Sequence, residues 1–163
     1  RTRRLLDELL MASRLEADQL EVALDEVPLD AAINEAVTAT AEAVEVVGEK
    51  GLVVTGDRIR IVQIITNLLT NAARYGAPPV CLDVVPTGSM VELRVSDAGS
   101  GVPEELRPQL FQKFVRGAGR RDRGTGLGLF IVRQLARRQG GDAWYEQTGE
   151  GRTCFCVSIP RAG

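Results

Sequence analysis

The segment that decides the fold is DRIRIVQIITNLLTNAARY, which runs from Asp57 to Tyr75. Its apolar residues recur at intervals of three and four and predict the buried stripe of a helix, formed by Ile61, Ile64, Ile65, Leu68, Leu69 and Ala72. Asp57 is placed to open this helix as its N-cap. A second stripe with the same period is polar and consists of Arg60, Gln63, Asn67, Asn71 and Arg74. The segment therefore predicts a helix with one apolar and one polar face.

Asn67 and Asn71 stand out within the polar stripe. They are four residues apart, so their side chains project from the same helix face, one above the other. Asparagine is a poor helix former because its side chain competes for backbone hydrogen bonds, so two of them in mid-helix need a reason. An amide oxygen is a hard, neutral ligand that Mg²⁺ accepts together with phosphate oxygens and water. For this pair alone, a solvated polar face is the simpler interpretation.

The segments on either side of this helix predict an α+β domain. Leucines among charges predict a helix over residues 1–22, and Asp30 is a candidate cap for a second helix. That second helix is predicted to carry Ile33, Ala36, Val37, Thr40, Val44 and Val47 and to end at Gly48 and Gly51. Further strands are predicted at 52–55, 80–85, 91–97, 143–147 and 153–159, and further helices at 104–115 and 125–139. Helices interleaved with mostly antiparallel hairpins predict a two-layer α/β sandwich, with helices on one face of a mixed sheet and one helix preceding it.

The bulk composition is that of an ordinary globular domain. The 163 residues are 44% hydrophobic and 26% charged. A net charge of −2 argues against a general nucleic-acid binder, and no apolar run is long enough to cross a bilayer. The three cysteines, Cys81, Cys154 and Cys156, include no C-x-x-C pair, so reduced thiols are expected, with neither a zinc site nor a disulfide framework. Histidine is absent from the chain, which removes the commonest general base.

A strand that ends in Asp97-Ala-Gly-Ser-Gly101 supplies a second candidate site. Val91, Leu93 and Val95 share one face of this strand, and the period of two places Asp97 on the same inward face. An inward carboxylate is costly unless a group donates hydrogen bonds to it, and the exocyclic amine of adenine is such a donor. The two glycines would let the backbone turn sharply and approach a flat ring. Turns rich in Asp and Gly are common at strand ends. Only the inward direction of Asp97 favours a binding site over such an ordinary turn.

A third candidate is the glycine-rich segment GTGLGLFIVR, residues 124–133, which runs directly into a predicted helix. Backbone N–H groups at a helix N-terminus form an anion site that suits a polyphosphate. The spacing G-x-G-x-G fits neither the G-x-G-x-x-G dinucleotide pattern nor a Walker loop. Upstream, residues 116–123 contain four arginines, one aspartate and two glycines, which predicts a mobile basic lid over the phosphate site. In isolation, such a charge run is simply a solvated loop.

Taken in order, these segments resemble the motifs of the histidine-kinase branch of the Bergerat-fold ATPases. Residues 67–75 (NLLTNAARY) resemble the N box, 97–101 (DAGSG) the G1 box, 111–116 (FQKFVR) the F box and 124–129 (GTGLGL) the G2 box. Residues 149–155 (GEGRTCF) resemble the last glycine-containing motif of the family. The resemblance covers the whole chain in the family's order and spacing. It implies a Bergerat fold that binds ATP and Mg²⁺ and transfers the γ-phosphoryl group to a histidine.

The resemblance implies roles at the phosphate end of the site. Asn71 is expected to be the Mg²⁺ ligand, and Asn67 to assist at the phosphates. Lys113 and Arg116 are, with these two asparagines, the candidate catalytic residues, because they could contact the phosphate tail. The expected phosphate-binding positions of the glycine-rich segment are Thr125, Gly126, Leu127 and Gly128.

The resemblance implies further roles at the adenine end. Asp97 is expected to accept a hydrogen bond from the adenine amine, and Tyr75 to pack near the ring. Thr153 shares its strand face with Phe155, so it is expected to face inward and to reach adenine through a water. The remaining expected contacts in this part are Gly99, Gly101 and Val102. Cys154 and Cys156 fall on the opposite strand face, and no special role is expected of them.

The resemblance also implies how the chain relates to a larger protein. Residues 1–22 resemble the second helix of the family's dimerisation and phosphotransfer hairpin, and residues 23–163 the catalytic ATP-binding domain. The implied partners are the histidine-bearing helix of that hairpin, which this sequence lacks, and the receiver domain of a response regulator. The full protein is expected to be a homodimer anchored in the cytoplasmic membrane, and the present chain a cytoplasmic monomer that cannot phosphorylate itself.

Two alternative functions remain at this point. Hydrolytic relatives of the same fold carry a glutamate four residues before the metal-binding asparagine, as the base that activates water. In this sequence that position is Asn67, whose amide cannot accept a proton at physiological pH, so transfer to histidine is favoured over hydrolysis. The other alternative is a degenerate domain that binds nucleotide or a partner without chemistry. No motif is broken at its key residue, which argues against that alternative.

Overall fold

A computed structural model describes residues 2–40, 43–115, 126–149 and 151–163. Its central element is helix α3, Arg58–Tyr75, which begins where the sequence predicts. Asp57 is the N-cap: its Oδ1 accepts hydrogen bonds from the backbone N–H groups of Ile59 and Arg60 at 3.1 and 3.4 Å. These bonds satisfy donors that a helix leaves unpaired in its first turn. Oδ2 of the same carboxylate accepts from Ala23 N at 3.0 Å, which ties the preceding loop to the helix.

The predicted apolar stripe of α3 is fully buried. Its members are at most 3% exposed: Ile61, Ile64, Ile65, Leu68, Leu69 and Ala72. They join the inward residues of the sheet in one hydrophobic core that includes Leu82, Leu93 and Val157. Burial of each large aliphatic side chain contributes about 1.5–3 kcal/mol relative to exposure, so this stripe fixes the rotation of α3 about its axis.

The main sheet has five strands in the order β2-β4-β5-β7-β6. The strands are β2, Val44–Gly48; β4, Val80–Thr87; β5, Met90–Asp97; β6, Asp142–Gln147; and β7, Thr153–Pro160. β2 pairs with β4 in parallel, and every other pairing in this sheet is antiparallel. The predicted mixed, mostly antiparallel sheet is therefore confirmed, with α2 (Leu29–Ala39), α3 and α4 (Gly128–Arg138) packed on one face.

The predicted second helix is wrong in its second half. α2 ends at Ala39, and Val44–Gly48 forms strand β2 instead of continuing the helix. Three of its five residues are valine, whose branched side chain favours strands, and this β-propensity together with pairing to β4 outweighs the helical spacing. Asp30 does not cap α2: it lies in the first turn, after the N-cap Pro28, and its carboxylate accepts from Gly51 N.

A short strand pair at the edge of the domain was not predicted in full. β1, Asp25–Pro28, pairs antiparallel with β3, Val53–Gly56, and only β3 has a counterpart in the predicted strands. A bridge between Val54 and Arg161 connects this pair to the end of the chain. β1 ends in a proline and has only Val27 buried, so its sequence carries almost no strand signal.

Helix α1 is shorter than predicted, since it spans Thr2–Glu16 and not residues 1–22. It packs on α4 through Ala12 and Leu15, which are both buried. Arg138 of α4 donates to the carbonyl of Leu15 at 2.8 Å and contacts Asp18, so it holds the end of α1. The leucines at positions 5, 6, 9 and 10 are exposed. In the described part of the chain no helix combines the length and apolarity needed to cross a bilayer.

The two predicted helices around the glycine-rich segment are shorter in the structure. Residues 104–115 contain only a 3-10 helix, Glu104–Gln109, because Pro108 cannot donate a backbone hydrogen bond and disfavours a regular α-helix. α4 begins at Gly128, after Leu127, and not at residue 125. Gln139, at the end of α4, is buried and accepts from Asp57 N at 2.8 Å, which links the end of α4 to the start of α3.

We expect the substitution Asp57→Ala to lower the free energy of unfolding by about 1–2 kcal/mol, because it removes the helix cap and the bond to Ala23. For a domain of this size the melting temperature should fall by about 2–8 °C in thermal denaturation followed by circular dichroism. Glu49→Ala, at an exposed position, is the control and should change the melting temperature little. Equal melting temperatures for Asp57→Ala and the wild type would contradict the capping role.

Candidate functional site

The C-terminal end of α3 meets the C-terminal end of β5 at Asp97. The side chain of Asp97 is 2% exposed, so it faces inward as the strand phase predicts. Its Oδ1 accepts hydrogen bonds from Gly99 N at 2.7 Å and from Ala77 N at 3.3 Å. Within the described part of the chain no hydrogen bond to Oδ2 is found. The carboxylate is thus held by two backbone donors at one oxygen, and its other oxygen is available to a ligand donor.

Gly76 makes room for this carboxylate. It follows α3, where its N–H bonds to Ala72 O at 2.9 Å, and a Cβ atom at this position would collide with the carboxylate of Asp97. A Cβ on Gly99 would come within 2.8 Å of Asp97 Oδ1. Both glycines are therefore required by the close approach of backbone to carboxylate. Gly76 was not among the predicted site residues, although a glycine directly after a helix is a recognisable signal.

Gly101 and Thr153 lie next to each other beside this corner. Gly101 has a φ of +89°, and a Cβ there would lie 3.6 Å from Thr153 Oγ1. Thr153 is 5% exposed, and its Oγ1 is buried without a hydrogen-bond partner among the described residues. A buried hydroxyl without a partner carries a free-energy cost of about 1–3 kcal/mol. It is therefore a group that a ligand or a water would stabilise.

Tyr145 and Arg107 support the loop that carries Gly101 and Val102, and sequence reasoning missed both. The backbone N–H of Val102 donates to the hydroxyl of Tyr145 at 3.1 Å. Arg107 donates to Val102 O at 3.0 Å and to Gln147 Oε1 at 3.1 Å, and its guanidinium lies 5.4 Å from the ring centre of Tyr145. These residues belong to no motif, and only the folded chain brings the 3-10 helix and β6 together, so no local signal identifies them.

The polar stripe of α3 meets the N-terminus of α4. Asn67 Nδ2 donates to the carbonyl oxygen of Gly128 at 3.3 Å. Leu127 is fully buried and fixes the start of α4 against the core. The N-terminal turn of α4, with the positive end of its dipole, consequently lies beside the asparagine stripe.

Gly126 connects this helix start to the predicted F box. Its carbonyl accepts from Phe114 N at 2.7 Å. With a φ of +76°, Gly126 adopts a conformation that favours glycine, and a Cβ would lie 2.7 Å from the Cα of Phe114. The helical spacing of Phe111 and Phe114 predicts two core anchors, and this is wrong for Phe114, which has a φ of +63° and is 57% exposed. Phe111 packs against the core.

The remaining predicted residues are placed as follows. Asn71 is half-buried on α3, one turn from Asn67 towards Gly76, and Tyr75 is 46% exposed at the end of the helix. Lys113 forms an ion pair with Glu16 of α1, with 2.6 Å between Nζ and Oε2. Arg116 and Thr125, and with them the predicted basic lid at 116–123, lie outside the described residues.

The site is therefore an extended strip along α3. Asp97 and Gly76 mark one end and Asn67 with the N-terminus of α4 the other. Gly76 follows Asn67 by nine positions, which corresponds to about 14 Å along the helix axis. In the described residues no cluster of three or more His, Cys, Asp or Glu side chains could hold a metal ion by itself. A cation bound here would take its further ligands from phosphate oxygens and water, as Mg²⁺ commonly does.

Comparisons with known proteins assign the chain to a family. Residues 56–163 match the family model described as histidine kinase-, DNA gyrase B-, and HSP90-like ATPase. The chain belongs to this family. Within it, the curated relatives that it matches include sensor histidine kinases, and the chain corresponds to the ATPase domain of these proteins.

Two curated relatives and one solved structure illustrate the likeness. The histidine kinase domain is 32% identical over 161 residues to the histidine-protein kinase AfsQ2 of Streptomyces coelicolor, covering 96% of this chain and 30% of the relative. It is 36% identical over 170 residues to the sensor histidine kinase TrcS of Mycobacterium tuberculosis, covering 96% and 33%. Full-length ShkA in complex with AMPPNP superposes with a TM-score of 0.82 at 25% identity, covering 98% of this chain and 35% of that one. The chain spans about a third of the length of these two curated relatives.

The Lys113–Glu16 ion pair of the histidine kinase domain yields a test of how α1 is held. Glu16→Gln should speed amide hydrogen exchange in the last turn of α1 by up to about fivefold, because both side chains are partly exposed and such pairs contribute about 0.2–1 kcal/mol. Glu21→Gln, at an exposed neighbouring position, is the matched control and should leave exchange unchanged. Identical exchange in Glu16→Gln and the wild type would show that the pair does not hold the helix.

Proposed function

We propose that this domain binds ATP with Mg²⁺ along α3 and transfers the γ-phosphoryl group to a histidine of a separate helix. The observation that carries the proposal is the hydrogen bond between Asn67 and the Gly128 carbonyl. It sets the asparagine stripe beside a helix N-terminus, which pairs candidate metal ligands with an anion-binding end. ShkA, whose structure resembles this chain, was solved in complex with AMPPNP, and because AMPPNP is an ATP analogue this supports a nucleotide ligand.

The adenine is proposed to lie at the Asp97 end of the strip. Asp97 Oδ2 would accept from the exocyclic amine, while Oδ1 stays bonded to Gly99 and Ala77. Thr153 Oγ1 would gain the partner that it lacks among the described residues, through a water at the ring. Gly99, Gly101 and Val102 would border the ring, and Tyr75 would pack near it from the end of α3.

The triphosphate is proposed to run along α3 towards α4. The distance of about 14 Å between the two ends suits an extended nucleotide. Amide groups of Leu127 and Gly128 would donate to phosphate oxygens, with Thr125 and Gly126 in the same segment and Lys113 and Arg116 at the phosphate tail. Asn71 would ligate Mg²⁺ and Asn67 would assist; the ion supplies positive charge that offsets the charge of the transferring group.

The reaction proposed is phosphoryl transfer to nitrogen. A neutral imidazole nitrogen attacks the γ-phosphorus, an N–P bond forms, and the bond to the bridging oxygen breaks with its electron pair going to ADP. The chain has no histidine, so the acceptor must come from outside the sequence in hand. Asn67 acts in this structure as a hydrogen-bond donor to a carbonyl, which a carboxylate could not do, and its amide leaves water without a base.

The wider context is part of the same proposal. Residues 1–22 would derive from a dimerisation hairpin, whose other helix bears the acceptor histidine, and residues 23–163 would be the catalytic domain. The phosphoryl group would pass on to the receiver domain of a response regulator. The larger protein would be a membrane-anchored homodimer with this domain in the cytoplasm.

The central test supplies a histidine-bearing hairpin in trans. With ATP labelled at the γ-position and Mg²⁺, the native hairpin should acquire acid-labile, alkali-stable label, and the chain itself should acquire none. A hairpin with the histidine replaced by alanine is the control. Release of free phosphate should remain negligible over the same period, because no base activates water. Tight ATP binding without transfer to the native hairpin would indicate a nucleotide-binding domain without kinase activity.

The metal role of Asn71 has its own test. Asn71→Ala should lower the affinity for ATP in the presence of Mg²⁺ by at least about 10-fold in calorimetry, because a ligand to the ion is removed. The helix itself should persist, since alanine is a good helix former. Asn34→Ala, an exposed asparagine on α2, is the matched control and should bind like the wild type. Binding of Mg-ATP by Asn71→Ala with wild-type affinity would refute the metal role.

A further inference from the structure

The face of the sheet opposite the helices carries a pair of adjacent thiols. Cys154 and Cys156 are two residues apart on β7, so their side chains point to the same side, and their Sγ atoms are 3.5 Å apart. Both are buried, at 2% and 0% exposure. They alternate with Thr153 and Phe155, which face the helices, and they belong to no part of the proposed nucleotide site.

One layer of polar side chains covers this dithiol. The strand register places Arg94 of β5 and Trp144 of β6 on either side of Cys156, and Glu146 beside Cys154. Arg94 Nη2 lies 2.7 Å from Glu146 Oε2, and its Nη1 lies 3.1 Å from Glu92 Oε1. Trp144 Nε1 donates to Glu146 Oε1 at 2.8 Å. This layer of ion-paired side chains could be opened by rotation of a few of them, since Arg94 and Glu146 are partly exposed.

The two thiols are electrostatically unequal. The hydrogen bond that it shares with Cys156 lowers the pKa of Cys154, against the effect of burial, and the positive charge of Arg94 lowers it further. The same hydrogen bond, together with burial, raises the pKa of Cys156. The hydrogen bond between the two thiols and the charge of Arg94 both favour the thiolate form of Cys154.

We propose that Cys154 and Cys156 form a binding site for a soft monovalent cation, with Cu(I) as the representative ion. Two thiolates on one strand face supply the sulfur ligands that Cu(I) prefers, and a small opening of the Sγ–Sγ distance admits an ion between them. Two thiolates and Cu(I) carry a net charge of −1, and the guanidinium of Arg94, which is also paired with Glu92 and Glu146, is a cation beside them. Binding releases the protons that the two thiols carry to solvent.

Other uses of the pair fit the structure less well. Zinc requires four ligands in a structural site, and the described residues contain no cluster of three or more His, Cys, Asp or Glu side chains that could supply them. A disulfide between Cys154 and Cys156 would join Cα atoms about 6.6–6.8 Å apart on an extended strand, at the upper limit of the usual range. A two-coordinate ion spans the two sulfur atoms without drawing the backbone together.

The test is an anaerobic titration of the reduced chain with Cu(I) in competition with a chromogenic Cu(I) chelator. The wild type should withdraw one equivalent of Cu(I) with high affinity. Cys154→Ser and Cys156→Ser should each lose this equivalent, and Arg94→Gln should weaken it by about 10- to 100-fold, as loss of a group next to the ligands does. X-ray absorption of the loaded wild type should show two sulfur neighbours and no nitrogen neighbour.

Cys81→Ser is the matched control. Cys81 is on the same sheet face, but Ser96 lies between it and Cys154 in the strand register, so its removal should leave the high-affinity equivalent intact. Circular dichroism of all variants separates loss of the ion from loss of the fold. Failure of the wild type to compete for Cu(I), equal uptake by Cys154→Ser, or loss of uptake in Cys81→Ser would each overturn the proposal.

Discussion

Burial of one face of α3 against the sheet is the constraint on which the rest of the structure depends. Ile61, Ile64 and Ile65 are fully buried, so the helix cannot rotate without exposing several large side chains to water. That rotation decides where Asn67 and Asn71 point, and it places Gly76 against Asp97. The cap at Asp57 and its bond to Gln139 fix the start of the same helix relative to α4. The packing of this one helix in the core thus also determines the geometry of the site.

Several features that depend on the local spacing of residues were predicted correctly from the sequence. The limits of α3, its cap and the inward phase of Asp97 all follow from local spacing, and the structure has each of them. Strand β2 was mistaken for helix because Val44 and Val47 also fit a helical stripe, and only pairing with β4 decides between the two. The support of Val102 by Tyr145 and Arg107 depends on contacts between distant segments, as does the pairing of Lys113 with Glu16. Such contacts leave no trace in a single sequence, because neither partner needs a particular neighbour along the chain.

β7 shows how a central strand can serve both faces of a sheet. Every residue from Thr153 to Ile159 is buried, which is the expected environment of a strand with neighbours on both sides and cover on both faces. Thr153 and Phe155 face the helices, while Cys154 and Cys156 face the ion-paired layer that includes Arg94. The proposed nucleotide contact at Thr153 and the proposed cation site at Cys154 therefore belong to consecutive residues of one rigid element.

The ion pair between Lys113 and Glu16 has a thermodynamic consequence for the proposed function. One ammonium group cannot neutralise a carboxylate of α1 and a nucleotide phosphate to the same extent at the same time. If Lys113 contacts phosphate, then docking of α1 and binding of nucleotide share a coupling free energy, and that coupling is reciprocal. Release of α1 would raise the affinity for nucleotide, and bound nucleotide would weaken docking of α1 by the same factor. The position of the first helix would thereby set the affinity of the domain for nucleotide.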